Sequence, residues 1–298
     1  MRKTKGLVTV DTIQLNTKSE KIQMIKGLHR RQSRNGDTGT FELVLNPNKY
    51  ANQDQLFYKD DCINSIGYMI EEMNILDCEI SRVDLAYDTY NEGDYQLYHK
   101  LNRFLLSLIA NKYKIKNAYK SSDLWNDDGI SLKIKDRKFD IENYDKSLQE
   151  PNGKVTNRFE TRVKEIYEPD VSQAIAEAEN RTLKILCESV TEKNYDAVVN
   201  RLTDNITKKT EGKTKKEVDK ILYSKQELIV DTSQLTPIFK EVGYTNPLKR
   251  AQRFMHDNNI EKISFNMVND YAEDIKKAIK NYSENRPYLS FFDQQITA

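Results

Sequence analysis

Short stretches of alternating hydrophobicity and longer amphipathic stretches follow one another along the first half of the chain. Alternation of apolar and polar residues predicts half-buried strands, and apolar residues every three to four positions predict helices. The predicted strands cover residues 7–15, 39–47, 79–88, 130–135, 138–144 and 157–164, and the predicted helices cover 55–74 and 95–112. We therefore expect an α+β fold, with a mainly antiparallel sheet covered by helices.

From residue 170 onward the pattern becomes helical. Helices are predicted over 171–189 and 195–202, and shorter ones near 235–239, 246–255 and 263–282. A lysine-rich segment, 207–216, is predicted to be an exposed connector. We expect one domain over 1–170, followed by a mainly helical portion over 171–298.

Composition adds bounds on the class of protein. Charged residues make up 31% of the 298 positions, and the chain carries 17 tyrosines, which is typical of a folded protein with a polar surface. The net charge is only +1, so any nucleic-acid-binding surface must be local. The longest apolar run, 104–110, is too short to span a bilayer, and no apolar signal segment follows Met1. We expect a cytoplasmic protein without membrane contact.

Several common chemistries find no support in the sequence. The three cysteines are scattered and lack CxxC spacing, which argues against a zinc site or a disulfide framework. The three histidines occur singly, so no local two-histidine metal motif exists. Gly212-Lys213-Thr214 resembles the end of a phosphate-binding loop, but Thr207 stands where the first glycine is required.

Two strand-like segments, 81–88 and 157–164, each place an acid two residues from an arginine, on the same strand face. Side chains alternate across a strand, so Asp84 and its arginine neighbour share a face, as do Glu160 and its two flanking arginines. Tyr144 lies between the two segments in sequence. Two carboxylates suit a hard divalent cation, and a tyrosine hydroxyl can attack a phosphodiester. Spacing alone leaves open that both acids simply form surface ion pairs.

Three motifs carry a resemblance to a known family. They are Arg-Val-Asp-Leu-Ala-Tyr-Asp at 82–88, Tyr-Asp-Lys at 144–146 and Asn-Arg-Phe-Glu-Thr-Arg at 157–162. In this order and at these separations, they resemble the core of the Rep-trans family, the rolling-circle replication initiators of Gram-positive plasmids and the related nicking proteins of phages and conjugative elements. The resemblance covers about residues 7–170. The Gly-Ser-Arg-like turn usual before the tyrosine strand is replaced here by Lys-Asp-Arg-Lys at 135–138.

The resemblance implies a relaxase-like or replication-initiator-like sheet in a catalytic domain over 1–170, with the activity of a metal-dependent DNA-nicking endonuclease and strand transferase. The helical portion over 171–298 would then serve DNA recognition, dimerisation or partner recruitment. Asp84 and Glu160 would hold Mg²⁺ or Mn²⁺, and Tyr144 would form a 5′-phosphotyrosyl intermediate while freeing a 3′-hydroxyl for a polymerase. Lys146 and Arg162 would neutralise charge on the phosphate. The resemblance also implies origin DNA as a partner, a homodimer and a host helicase.

Local basic clusters are the candidate DNA contacts. Some are interleaved with tyrosines that can stack on unpaired bases, and each can equally be a solvated surface. The candidates are Arg30, Arg31, Arg34, Lys112, Lys114, Lys116, Lys133, Lys135, Arg137, Lys138, Arg158, Lys249, Arg250 and Arg253.

Two other functions remain open at this point. A non-catalytic DNA-binding replication or regulatory protein would use the acids only structurally. A mobile-element nuclease with metal-activated water would require Asp84 and Glu160 but not Tyr144.

Overall fold

A computed structural model describes residues 5–31, 39–53, 56, 58–75, 77–91, 95–115, 131–145 and 155–285. Two compact units divide the chain. The first comprises Met1–Gly93, Lys133–Leu186 and Glu273–Ala298, and the second comprises Asp94–Leu132 and Cys187–Ala272. The functional boundary predicted at residue 170 stays a prediction.

The first unit contains a seven-stranded sheet in the order β2-β3-β1-β4-β7-β6-β5. Its registers are antiparallel between β1 and β3, β1 and β4, β2 and β3, β4 and β7, and β6 and β7. The strands are β1 (Lys5–Thr17), β2 (Leu28–Arg31), β3 (Phe41–Leu45), β4 (Glu79–Asn91), β5 (Ser131–Lys135), β6 (Phe139–Asp145) and β7 (Val155–Glu168). The predicted α+β fold with an antiparallel sheet is confirmed.

Helices flank the strands and fill the second unit. They are α1 (Pro47–Tyr50), α2 (Lys59–Glu72), α3 (Tyr95–Lys112), α4 (Val171–Ser189), α5 (Glu192–Thr210), α6 (Lys215–Tyr223), α7 (Thr232–Glu241), α8 (Pro247–Asp257) and α9 (Phe265–Ser283). A 3₁₀ turn, Gln226–Leu228, precedes α7. Among the described residues, no helix is both long enough and apolar enough to cross a bilayer.

One face of the sheet is apolar and lies under helices. Leu85 and Phe159, from the central strands β4 and β7, line a small cavity together with Thr182 of α4 and Ile275 of α9. Strand residues that alternate with these point to the opposite face. The covered face therefore forms the core of the first unit, and the opposite face is free to carry polar side chains.

The second unit has a core built from α3, α5 and the later helices. Phe104 of α3 packs on Tyr195 of α5, with ring centroids 5.0 Å apart. The predicted connector over 207–216 is wrong in part, because α5 runs to Thr210 and α6 begins at Lys215. The cause is a buried stripe in which Leu202, Ile206 and Thr210 recur every four residues, so tertiary packing holds the last turn of α5 in place.

Candidate active site

On the polar face of the sheet, charged residues of the three strands β4, β7 and β6 lie side by side. Across the pair β4–β7, Asp84 lies opposite Arg162, and Ala86 lies opposite Glu160. Across β6–β7, Tyr144 lies opposite Arg158. Side chains directly opposite one another in an antiparallel pair share a face and lie within reach. The register therefore gathers on one surface the two acids and the tyrosine that the sequence singled out.

Asp84 is a buried carboxylate fixed from two sides. It is only 2% exposed. Arg82 donates to both of its oxygens, with Nε 2.8 Å from Oδ1 and Nη2 3.0 Å from Oδ2. Thr12 of β1 also donates to Oδ2. Burial raises the pKa of Asp84, and the charge of Arg82 opposes that shift.

Glu160 is equally buried, and its two oxygens have different partners. Arg162 Nε donates to Oε1 at 2.7 Å, whereas the Tyr144 hydroxyl donates to Oε2 at 3.2 Å. Burial first, and then the negative charges of Asp84 and Asp11, raise the pKa of Glu160 to about 7. Half of the Glu160 population would therefore be protonated near neutral pH.

Arg162 occupies the space between the acids. Its Nε lies 2.7 Å from Glu160 Oε1 and 3.7 Å from Asp84 Oδ2, and its Nη2 lies 2.9 Å from Glu142 Oε2. Lys133 also reaches Glu142 Oε2, at 3.0 Å. The Arg162 guanidinium therefore lies within ion-pair distance of three carboxylates, two of which also pair with Arg82 or Lys133.

A second arginine, Arg158, stands beside the tyrosine. Its side chain is only 3% exposed, and it bonds Asp88 through Nε at 2.7 Å and Nη2 at 2.8 Å. Its Nη1 donates to Asp11 at 2.6 Å and, more weakly, to the Tyr144 hydroxyl at 3.5 Å. Two carboxylates therefore hold the buried Arg158 guanidinium beside the Tyr144 hydroxyl. Its predicted DNA contact stays a prediction.

The Tyr144 hydroxyl is held by hydrogen bonds, and its pKa is raised above the usual value for a tyrosine. Burial is the largest cause that raises its pKa, and the neighbouring Glu160 and Asp11 raise it further against the opposing charge of Arg158. A phenol in this state is a weak nucleophile unless its proton is removed or added positive charge stabilises the phenolate. Glu160 Oε2 is the acceptor in contact with that proton.

The donor set fits a cation only in part. Asp84 and Glu160 supply hard oxygen ligands, and Mg²⁺ commonly takes one or two carboxylates with the remaining positions filled by water and phosphate. Within the described part of the chain, no cluster of three or more histidine, cysteine, aspartate or glutamate residues could hold a metal ion. A cation would therefore be seated by two carboxylates and would have to replace Arg162 between them.

The other predicted site residues are distributed more widely. Seven of the predicted DNA contacts have exposed side chains: Lys112, Lys114, Lys135, Arg137, Lys138, Lys249 and Arg253. Arg137 pairs with Glu165 at 3.0 Å, and Arg250 pairs with Asp219 at 2.8 Å. Arg34, Lys116 and Lys146 lie outside the described residues, as do the side chains of Arg30 and Arg31. Their predicted roles stay predictions.

Four site residues were missed by sequence reasoning. Asp88 and Glu142 follow the same alternation as Asp84 and Tyr144, so strand parity could have found them. Asp11 and Thr12 could not be found in that way. The pairing of β1 with β4 shifts register between Val10 and Thr12, and such a bulge re-aims side chains without a clear sequence signal.

Comparisons with known proteins add little. No protein-family model matches the chain, and no curated protein matches it. A solved structure, a rolling circle replication initiator protein from Geobacillus stearothermophilus, is similar with a TM-score of 0.30 and 11% identity, over 64% of this chain and 91% of that one. The resemblance to the Rep-trans family therefore continues to rest on the three sequence motifs.

Proposed function

We propose that the protein initiates rolling-circle replication by nicking one DNA strand and holding it as a 5′-phosphotyrosyl intermediate. The observation that carries the proposal is the contact between Tyr144 and Glu160, at 3.2 Å, on the same sheet face as Asp84. A nucleophile in contact with a buried acceptor and flanked by arginines is the arrangement that attack on a phosphodiester requires.

The residues support a balanced transesterification. The Tyr144 oxygen attacks phosphorus, its proton passes to Glu160 Oε2, and the bond from phosphorus to the 3′-oxygen breaks. The released 3′-oxygen takes a proton from water. Arg162 and Lys146 are proposed to contact the phosphate, and a bound Mg²⁺ or Mn²⁺ would supply Lewis-acid polarisation of that phosphate.

Glu160 suits both parts of this proposal because its two oxygens face different groups. Oε2 faces the tyrosine, and Oε1 faces the space shared with Asp84, where Arg162 now lies. Proton acceptance and a cation contact therefore need not compete for one oxygen. Origin DNA, a second copy of the chain and a host helicase are the partners that accompany this proposal.

The test is covalent trapping on single-stranded DNA. A 3′-labelled random single-stranded pool is incubated with the protein and Mn²⁺, and denaturing gels are examined for labelled protein. We expect an adduct with the wild type, none with Tyr144→Phe, and a normal amount with Tyr167→Phe, a control at a tyrosine that is 58% exposed. Sequencing the trapped strands would identify the cleavage site.

Other outcomes separate the remaining functions. An adduct that survives in Tyr144→Phe would assign the nucleophile to another residue. Cleavage without an adduct that is lost in Asp84→Asn would favour a nuclease with metal-activated water. Duplex binding without any cleavage would favour a non-catalytic DNA-binding protein.

A further inference from the structure

The segment Thr214–Ser264 of the second unit forms a small three-helix module, which we call the trihelical module. In chain order it contains α6, α7 and α8, with a short non-helical segment on either side of the α7–α8 pair. The backbone amide of Ile263 donates to the carbonyl of Val230 at 3.0 Å, so these two segments are joined. Lys262 and Asp231 reinforce this junction with an ion pair at 2.7 Å.

The interior of the trihelical module is organised around Phe239 of α7. Its ring lies 5.3 Å from that of Tyr244, edge to face, and 6.1 Å from that of Phe254. Arg250 lies over both Phe239 and Tyr244, at 5.5 and 5.4 Å from their centroids. Asp219 of α6 binds Arg250 and accepts from the Tyr244 hydroxyl at 3.0 Å. Arg250 therefore fastens the three helices together.

The connection between α7 and α8 is a tight turn with defined ends. Gly243, Tyr244 and Thr245 lie between the cap residues Val242 and Asn246. Gly243 has φ +77°, a left-handed conformation that glycine adopts without strain. The length of this turn and its glycine match those of a helix-turn-helix motif, in which the second helix enters the DNA major groove.

Helix α8 has one buried and one exposed face. Ala251, Phe254 and Met255 face the interior. The exposed side chains are Leu248, Lys249, Gln252, Arg253, His256 and Asp257, of which only the last, at the end of the helix, is acidic. Arginine and glutamine match the hydrogen-bonding edges of guanine and adenine, and lysine suits phosphate.

More positive charge lies beside the start of α8. The Lys215 ammonium lies 4.9 Å from the centroid of the ring of Tyr244, which is a residue of the α7–α8 turn. Lys216, the next residue after Lys215, is exposed. Backbone phosphates on either side of a groove need such flanking contacts. The charge on this surface therefore complements a nucleic-acid duplex.

We infer that α8 is a recognition helix that binds the major groove of duplex DNA, with Gln252 and Arg253 at base edges and Lys249 at phosphate. The inference rests on the proposed function for the choice of DNA as partner. It also gives different roles to three of the predicted DNA contacts, since Lys249 and Arg253 contact DNA whereas Arg250 holds the trihelical module together.

The test uses the full-length chain and a random duplex library, with EDTA present to prevent cleavage. Repeated selection yields enriched duplexes, and fluorescence anisotropy then gives Kd at several salt concentrations. Arg253→Ala should weaken binding about 5-fold to 150-fold and relax the preference at one base position. Lys249→Ala should weaken binding to all sequences alike and reduce the salt slope by about one.

The control is Lys193→Ala, which removes an exposed lysine from α5 and should leave Kd unchanged. Two results would overturn the inference. One is an enriched duplex whose Kd changes in neither Gln252→Ala nor Arg253→Ala, and the other is the absence of any duplex binding. The adduct assay separates the two proposals, because it reports attack by Tyr144 on single-stranded DNA, whereas anisotropy with EDTA present reports duplex binding alone. Loss of the adduct in every protein, with groove binding retained, would instead overturn the proposed nickase.

Discussion

Arg162 is the residue whose position most changes the interpretation of the site. It lies where two carboxylates would share a cation, and its Nε is 2.7 Å from one of them. Replacing it by glutamine removes the competing positive charge. We expect Arg162→Gln to bind Mn²⁺ more tightly, by up to about tenfold, since an opposite charge within a few ångströms is worth roughly 1 kcal/mol or more.

Electron paramagnetic resonance of free Mn²⁺ measures that affinity without any reaction. Arg137→Gln is a matched control, because Arg137 also pairs with a glutamate but is exposed and lies outside the acid pair. An unchanged or weaker Mn²⁺ affinity in Arg162→Gln would contradict the assignment of the cation position. Nicking by Arg162→Gln should fall, because its proposed phosphate contact is lost.

The raised pKa of Glu160 predicts that the stability of the folded protein depends on pH. Its pKa in the folded protein is raised to about 7, above the usual value of 4.5, so the folded state holds the proton more strongly than the unfolded state does. The contribution is fully favourable below pH 4.5 and declines as pH rises towards 7. Relative to Glu160→Gln, the wild type should lose roughly 2 kcal/mol between pH 5 and pH 8.

Urea unfolding of both proteins across that range gives the difference directly. A wild type that instead gains stability over Glu160→Gln as pH rises would contradict the raised pKa. Added Mn²⁺ should reduce the loss, because a bound cation favours the ionised carboxylate.

At the scale of elements, two glycines allow a matched test of local conformation. Neither Gly67 of α2 nor Gly243 of the α7–α8 turn has any atom near the position of an added Cβ. Gly67→Ala should stabilise the protein by roughly 0.5–1 kcal/mol, because alanine loses less backbone freedom in a helix. Gly243→Ala should destabilise by about 1 kcal/mol, because φ is +77° there.

Calorimetric midpoints of the two variants check these signs. Equal shifts would show that the turn at Gly243 relaxes into another conformation at no cost. A midpoint that falls in Gly67→Ala would show that this part of α2 does not have ordinary helical geometry.

Strand alternation predicted much of the site because the period of a strand is fixed by covalent geometry. It placed Asp84, Glu160 and Tyr144 on strands, and the observed registers bring them together. It did not predict the ion pairs of the buried Arg158, which reach Asp88 on the adjacent strand β4 and Asp11 on β1, one strand further away. Bulges and the covering of a surface are properties of tertiary structure, which local pattern does not encode.

At the scale of the molecule, a buried ion pair ties distant parts of the first unit together. Lys59 of α2 lies 2.8 Å from Glu179 of α4, and both side chains are largely buried. Lys59→Met leaves Glu179 without its partner and should cost about 3–5 kcal/mol. The double variant Lys59→Met/Glu179→Met should recover most of that loss, since neither charge then remains buried.

Denaturant unfolding of the two single variants and the double variant gives the coupling energy. Additive losses in the double variant would show that the two side chains do not interact. Lys277→Met, at an exposed lysine of α9, should leave stability almost unchanged.

The charged face of the sheet helps to fix the alignment of the strands during folding. Sliding β7 by one residue against β4 would turn Arg158, Glu160 and Arg162 into the helix-covered core, where unpaired charges cost several kcal/mol each. Misaligned strands are therefore rejected during folding. Replacing these three charged residues by apolar ones would remove this penalty, and the strands could then pair in either alignment.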